Sequence, residues 1–200
     1  MKIALIIEGE TERVFLIHLR RFLESRLSGR MPKIVPFTYD GRIPTGDKLK
    51  RIVKRKLDDS DAVIALTDVY TGTGDFIDGN DAKNKMREWV GHNDRFYPHA
   101  AQYEFEAWLL PYWSTIQKLA GHNRTPPPGK PEDVNHLNPP STHIKDIFRT
   151  GKKRGYSKPI IASKILRDPD NDLLIAANDC PELKAFLNTI LTLCEGSTIP

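Results

Sequence analysis

Two short runs of consecutive apolar residues constrain this chain more than any other feature: Ile3-Ala4-Leu5-Ile6-Ile7 and Ala62-Val63-Ile64-Ala65-Leu66. Neither alternates polar with apolar positions. Each is too short for a buried helix and fits a strand covered on both faces. Between them, Val14, Phe15, Leu19, Phe22, Leu23 and Leu27 recur at helical spacing, Ile34 to Tyr39 reads as a strand, and Leu49, Ile52, Val53 and Leu57 mark a second helix. The order strand–helix–strand–helix–strand predicts an α/β fold with a mainly parallel sheet and right-handed crossovers.

The remaining elements follow from local signals. Thr11 is placed to cap a helix over 12–27, and Gly29 to end it as the residue past the C-cap. Residues 71–79 hold three glycines and read as a loop. A helix is expected over 80–90, a strand from Pro98 to Tyr103 and a helix from Ala107 to Leu119. The Pro-, Asn- and Gly-rich stretch 121–140 reads as an irregular excursion. Short helices are expected near 143–149, 159–166 and 171–178, and a last one after Pro181, a residue suited to a helix start. The expected organisation is an α/β core over 1–120, with 121–200 forming an irregular loop and a helical extension packed on it.

At 200 residues, 39% apolar and 28% charged, the chain is long enough to bury one substantial core. No stretch approaches the about 20 apolar residues of a membrane span. The N-terminus runs directly into a strand pattern, so a cytoplasmic protein is expected, with Cys180 and Cys194 reduced. The net charge of +4 permits a nucleic-acid partner. Two basic groups are placed to track a phosphate backbone: Lys48, Lys50, Arg51, Lys54 and Arg55 on the second helix, and Lys152, Lys153 and Arg154. The alternative is that each is a solvated surface. There is no Walker A lysine loop, so ATP hydrolysis by the chain alone is not expected. The six histidines show no zinc spacing. His99 lies near an acidic strand end, where it is either a base or a satisfied core histidine.

Three acidic groups mark the chemistry: Glu8-Gly9-Glu10-Thr11-Glu12 after the first strand, Asp68 after the third, and Glu104-Phe105-Glu106 after the fourth. In an open α/β sheet the C-terminal ends of strands line the functional crevice. Carboxylates gathered there repel one another unless a cation sits among them. Mg²⁺ or Mn²⁺ is therefore expected, with Glu8, Glu12, Asp68, Glu104 and Glu106 as candidate ligands. Gly9 would permit a tight turn and a close backbone approach. Glu12 either supports the metal or complements the helix dipole. Glu10 should face solvent, and Asp75, Asp78 and Asp81 read as turn residues. An extended Glu104-Phe105-Glu106 would point both glutamates one way and Phe105 inward. Lys158 is the cation best placed to stabilise charge on a phosphate.

Strand, Glu8-Gly9, helix, strand, helix, strand, Asp68 resembles the Toprim fold, shared by topoisomerases, bacterial primases, recombination proteins and overcoming-lysogenization-defect (OLD) nucleases. The match to E-G-x-[ST]-E at Glu8 to Glu12 looks most like OLD-type and stand-alone Toprim proteins. Glu-Phe-Glu-Ala-Trp and the later Tyr-x-Lys resemble a bacterial Toprim-like family often encoded beside AAA- or ABC-type ATPases in phage-defence settings. The resemblance implies that Glu8 binds metal or acts as acid/base and that Asp68 opens an Asp-x-Asp metal pair. The chain departs from that pair, with Tyr70 at the second position. Either the metal geometry then differs, or Glu12, Glu104 or Glu106 supplies the missing oxygen. Metal-dependent phosphodiester hydrolysis of DNA or RNA is the implied activity, with a partner ATPase and a homodimer as compatible assemblies. The alternatives are a catalytically degenerate interaction subunit and phosphoryl transfer on a nucleotide.

Overall fold

The computed structural model describes residues 1–39, 41–69, 74–133, 138–151 and 156–200. In chain order the first elements are β1 (Lys2–Ile7), α1 (Glu10–Arg26), β2 (Lys33–Thr38), α2 (Gly46–Leu57), β3 (Ala62–Asp68), α3 (Gly79–Val90) and β4 (Phe96–Ala101). A 3₁₀ segment, Phe105–Tyr112, leads into α4 (Trp113–Ala120), and a second, Pro131–Asp133, precedes α5 (Pro140–Thr150). The chain ends with α6 (Lys158–Arg167), α7 (Leu173–Asp179) and α8 (Pro181–Leu193).

The four strands form one sheet in the order β2-β1-β3-β4, and every pair is parallel. The two apolar runs are its central strands. Ile3, Leu5, Ile7, Ile64 and Leu66 face one hydrophobic cluster, while Ala4, Ile6, Val63 and Ala65 face another, as the period of two requires. The first cluster is covered by α1 and the helices from α4 onward, the second by α2 and α3. The chain winds from β1 out to β2 and then returns past β1 to β3. The strand order therefore reverses between β1 and β3, where an open α/β sheet leaves a crevice at its carboxyl edge.

Several local expectations need correction. Thr11 does not cap α1: it lies inside the helix, whose N-cap is Gly9, and the Gly9 amide donates to Glu12 Oε2 at 3.1 Å. Gly9 itself is extended (φ −154°, ψ −169°), a conformation open to any residue, so no tight turn depends on it. Helix α1 stops at Arg26 with Leu27 already extended, two residues short of Gly29. Strand β4 begins at Phe96 and ends at Ala101, earlier than the Pro98–Tyr103 pattern suggested. Tyr103 adopts φ 68°, unusual for a bulky residue, and this kink turns the chain out of the sheet before Glu104.

The excursion between α4 and α5 is anchored by a buried carboxylate. Glu132 accepts from Trp108 Nε1 at 3.0 Å and from the Glu182 and Leu183 amides at the N-terminus of α8. Three otherwise orphaned donors are satisfied by one side chain, and its charge lies at the positive end of a helix.

Candidate functional site

Five carboxylates converge on one cavity of about 280 Å³ at the carboxyl edge of the sheet. Glu8, Glu12, Asp68, Glu104 and Glu106 line it with Lys158, Thr11 and the backbones of Gly9 and Gly41. Glu8 follows β1 and Asp68 ends β3, the two strands that flank the topological reversal. Glu12 arrives from the first turn of α1. Glu104 is extended (φ −145°, ψ 154°), whereas Glu106 already lies in the 3₁₀ segment. The expected extended end therefore holds for Glu104 alone, although both glutamates line the cavity. Phe105 packs inward against Phe15 and Trp108, with ring centroids 5.3 and 5.2 Å apart.

Each carboxylate is anchored through a protein donor. The Thr67 hydroxyl and the Asp68 amide, the latter at 3.0 Å, both donate to Glu8 Oε1. The Phe105 amide donates to Asp68 Oδ1 at 2.9 Å. The Ser141 amide donates to Glu104 Oε2 at 2.9 Å, and Lys158 Nζ lies 3.4 Å from Glu104 Oε1 and 3.3 Å from Glu106 Oε1. Lys158 is the first residue of α6, which packs on α1, so the helix pair brings the lysine back over the sheet edge.

Burial raises the pKa values of Glu8 and Glu12, and Glu8 adds to the rise at Glu12. Asp68 is raised well above the carboxylate range by burial and then by Glu8, Glu12, Glu106 and Glu104. Burial lifts Glu106 to about 7 against the pull of Lys158. Burial alone would depress Lys158, but Glu106, Glu104 and Asp68 outweigh it and hold the ammonium form more firmly. The cluster is therefore short of positive charge.

Among the described residues the donor set around the cavity is oxygen alone, without sulfur or imidazole, and fits a hard divalent ion in kind. As the side chains lie, no three His, Cys, Asp or Glu among the described residues stand close enough to grip an ion. Gripping one requires carboxylates to rotate from these positions, in which Asp68 Oδ1 accepts from the Phe105 amide.

Other predicted positions fall elsewhere. Glu10 is exposed and pairs with Arg13. Asp78 caps α3 by accepting from the Asp81 amide, and Asp81 accepts from the Ile77 amide and from Lys85. Asp75 pairs with Arg42. His99 is not a base for this site: it is buried beside α8, shares a 3.0 Å hydrogen bond with Thr189, and burial holds its pKa down near 3. Lys48, Lys50, Arg51, Lys54 and Arg55 are all exposed on the outer face of α2. Lys152, Lys153, Arg154 and Tyr70 lie outside the described residues.

Sequence reasoning missed Thr67 and Arg42. Thr67 is the polar penultimate residue of an apolar strand, a signal legible beside Asp68. Arg42 follows β2 at the same sheet edge, and its charge acts on Glu8.

Among solved structures, the C-terminal region of the Xanthomonas campestris pv. campestris OLD protein is similar. The form phased with iodine gives a TM-score of 0.46 at 13% identity, covering 96% of this chain and 95% of that one. The form phased with platinum gives 0.44 at 10%, covering 96% of each. No curated protein sequence matches significantly. The family model described as a domain of unknown function, DUF4276, matches residues 7–191, and the chain belongs to that family.

Proposed function

We propose that the chain is a Mg²⁺- or Mn²⁺-dependent phosphodiester hydrolase acting on DNA or RNA. One observation carries the reading: four chain segments far apart in sequence place five carboxylates and one lysine around a single cavity at the sheet's reversal point. A structural role does not account for so much unbalanced negative charge. When bound, the ion supplies Lewis acidity toward a phosphate oxygen and makes a bound water acidic.

The protein groups do the rest. Glu8 is held by Thr67 and the Asp68 amide, so it is presented in a fixed orientation. Asp68 and Glu12 complete the oxygen set. Lys158 presents an ammonium that stays charged at neutral pH and can meet the scissile phosphate. The basic face of α2 is exposed, with Lys48 and Arg55 about 10 Å apart along the axis. It would hold a polymeric backbone without reading sequence. A partner ATPase and a homodimer belong to this reading, as does a role in phage defence.

The deciding experiment is calorimetric titration of Mn²⁺ and Mg²⁺ into wild type and Glu8→Gln/Asp68→Asn, followed by metal-dependent cleavage of single- and double-stranded DNA and RNA. Ion binding that vanishes in the double variant supports the site. Absence of binding by the wild type sinks it. A second reading, an interaction subunit without turnover, is favoured by the carboxylates' present orientation, in which no three among the described residues can grip an ion. It requires that no substrate be cleaved even when Mn²⁺ is bound.

A further inference from the structure

We infer that the half-open sheet edge at β2 is a stacking platform for an unpaired base, with Tyr39 as its ring, and that the nucleic acid this chain acts on is single-stranded. The inference rests on the hydrolase reading and deepens it by naming the form of the substrate.

Parallel strands are ordinarily covered on both faces, and β1, β3 and β4 are almost wholly buried. In β2, Lys33 is exposed and every residue from Ile34 to Thr38 is only half-buried, as is Tyr39 just beyond it. Phe37 pairs with Ile6, and alternation sends Phe37 and Tyr39 to the same face, where both pack at the margin of the cluster under α2. Lys56 Nζ lies 3.2 Å from the centre of the Phe37 ring, and the Arg55 charge acts on the Tyr39 hydroxyl. The flank of α2 that carries Ile52, Arg55 and Lys56 therefore borders the two rings. Tyr39 also stands beside the candidate site. Its amide donates to the Ile7 carbonyl at 3.0 Å, the Gly41 amide donates to the Glu8 carbonyl at 3.2 Å, and Gly41 lines the carboxylate cavity.

Hydrogen bonding and charge decide what covers such a strip. The Lys33 and Tyr39 amides donate to β1, so Ile34, Pro36 and Thr38 turn their backbone groups outward. Pro36 has no N–H and interrupts the row of donors that an added strand would need, which disfavours a second copy of the chain pairing here. Arg55 and Lys56 make the border of the rings positive, while Asp59, the acidic neighbour of Lys56, is paired with Lys2. A nucleic acid fits both features, with phosphates for the cations and a base face for the ring. In a duplex each base is stacked between its neighbours, so a protein ring is open only to an unpaired base. Stacking on Tyr39 would bring the next nucleotides to the cavity that begins at Glu8.

Fluorescence anisotropy in chelator tests this without reference to metal or cleavage. The probes are oligothymidylate, its abasic counterpart of equal length, which keeps the phosphates and lacks the bases, and the matching duplex. The wild type should bind oligothymidylate more tightly than either of the others. Tyr39→Ala should weaken oligothymidylate binding about 5- to 150-fold with an unchanged salt slope, and should leave the abasic strand unaffected. Tyr39→Phe should bind like wild type. Lys56→Ala should instead lower the salt slope by about 0.7 on both single strands. Equal wild-type affinity for oligothymidylate and duplex overturns the inference and leaves the hydrolase reading standing. So does a folded Tyr39→Ala that binds oligothymidylate like wild type, or that loses as much on the abasic strand. Base-dependent binding with no Mn²⁺-dependent cleavage upholds the inference and overturns the hydrolase reading. No binding to any strand overturns both. If Tyr39→Ala fails to fold by circular dichroism, Tyr39→Leu, which fills the space without a ring face, decides in its place.

Discussion

Asp68 ends β3 with one oxygen on the Phe105 amide and four other carboxylates around it. That arrangement is unfavourable in a protein without metal, and Asp68→Asn keeps the acceptor while removing the charge. The variant should melt higher than wild type in chelator at pH 8, by about 2–4 °C for each ~1 kcal/mol relieved in a chain of this size, and should lose Mn²⁺ binding. A lower melting temperature would show that the charge is already compensated. Glu106 gives the matching pH dependence. Its folded pKa, raised by burial to about 7, exceeds the ordinary 4.5, so its favourable contribution is full below 4.5 and lost as pH rises toward 7. His18 and His99 work in the opposite direction, held by burial near 4 and near 3, so stability is lost as pH falls below about 6.5. Urea midpoints of the metal-free protein should therefore fall on both sides of mildly acid pH. Glu106→Gln should flatten the alkaline arm, a difference on the order of 3 kcal/mol between pH 5 and pH 8.

Elements differ in how far the sequence disclosed them. The central strands were legible as unbroken apolar runs buried on both faces, and α1, α2 and α8 because each buries a face with a clean period of 3.6. Glu8 and Asp68 were legible because each is next to the end of such a strand. The meeting of Lys158 with Glu104 and Glu106 was not, since it depends on α6 crossing back onto α1 across more than fifty residues. Glu132 was hidden for another reason: the Pro- and Asn-rich stretch around it carries no periodicity, yet its side chain ties Trp108 to the start of α8. Glu132→Ala leaves those donors buried and unpaired. It should lower the urea midpoint by the equivalent of about 2–4 kcal/mol with an unchanged slope. A loss under about 0.5 kcal/mol would mean that solvent reaches them. At α2 the test is ionic strength. Lys48→Ala, Arg51→Ala and Arg55→Ala should weaken nucleic-acid binding alike across sequences, and each lost phosphate contact should lower the salt slope by about 0.7–0.9. A sequence-dependent loss would contradict a backbone-tracking role.

Across the whole molecule, one hydrophobic cluster joins early and late parts of the chain. Phe15 of α1 lies 6.3 Å from Phe186 of α8, and Trp108 lies 5.9 Å from the same ring. Gly151, just past α5, sits so close to the last turn of α4 that an added Cβ would come within 2.0 Å of the Ala120 carbonyl. A fragment ending at Ala120 should therefore show no cooperative thermal transition by circular dichroism, and a sigmoidal melt would show that the first 120 residues hold a core of their own. The packing of α6 on α1 has a further consequence in time. Glu12 is made early and Lys158 late, and at about 5–20 residues per second roughly 7–30 s of synthesis separate them. Until α6 emerges and docks, the sheet edge holds carboxylates without their lysine. A chain still attached to the ribosome therefore carries this acidic edge uncompensated until its C-terminal helices fold back onto α1.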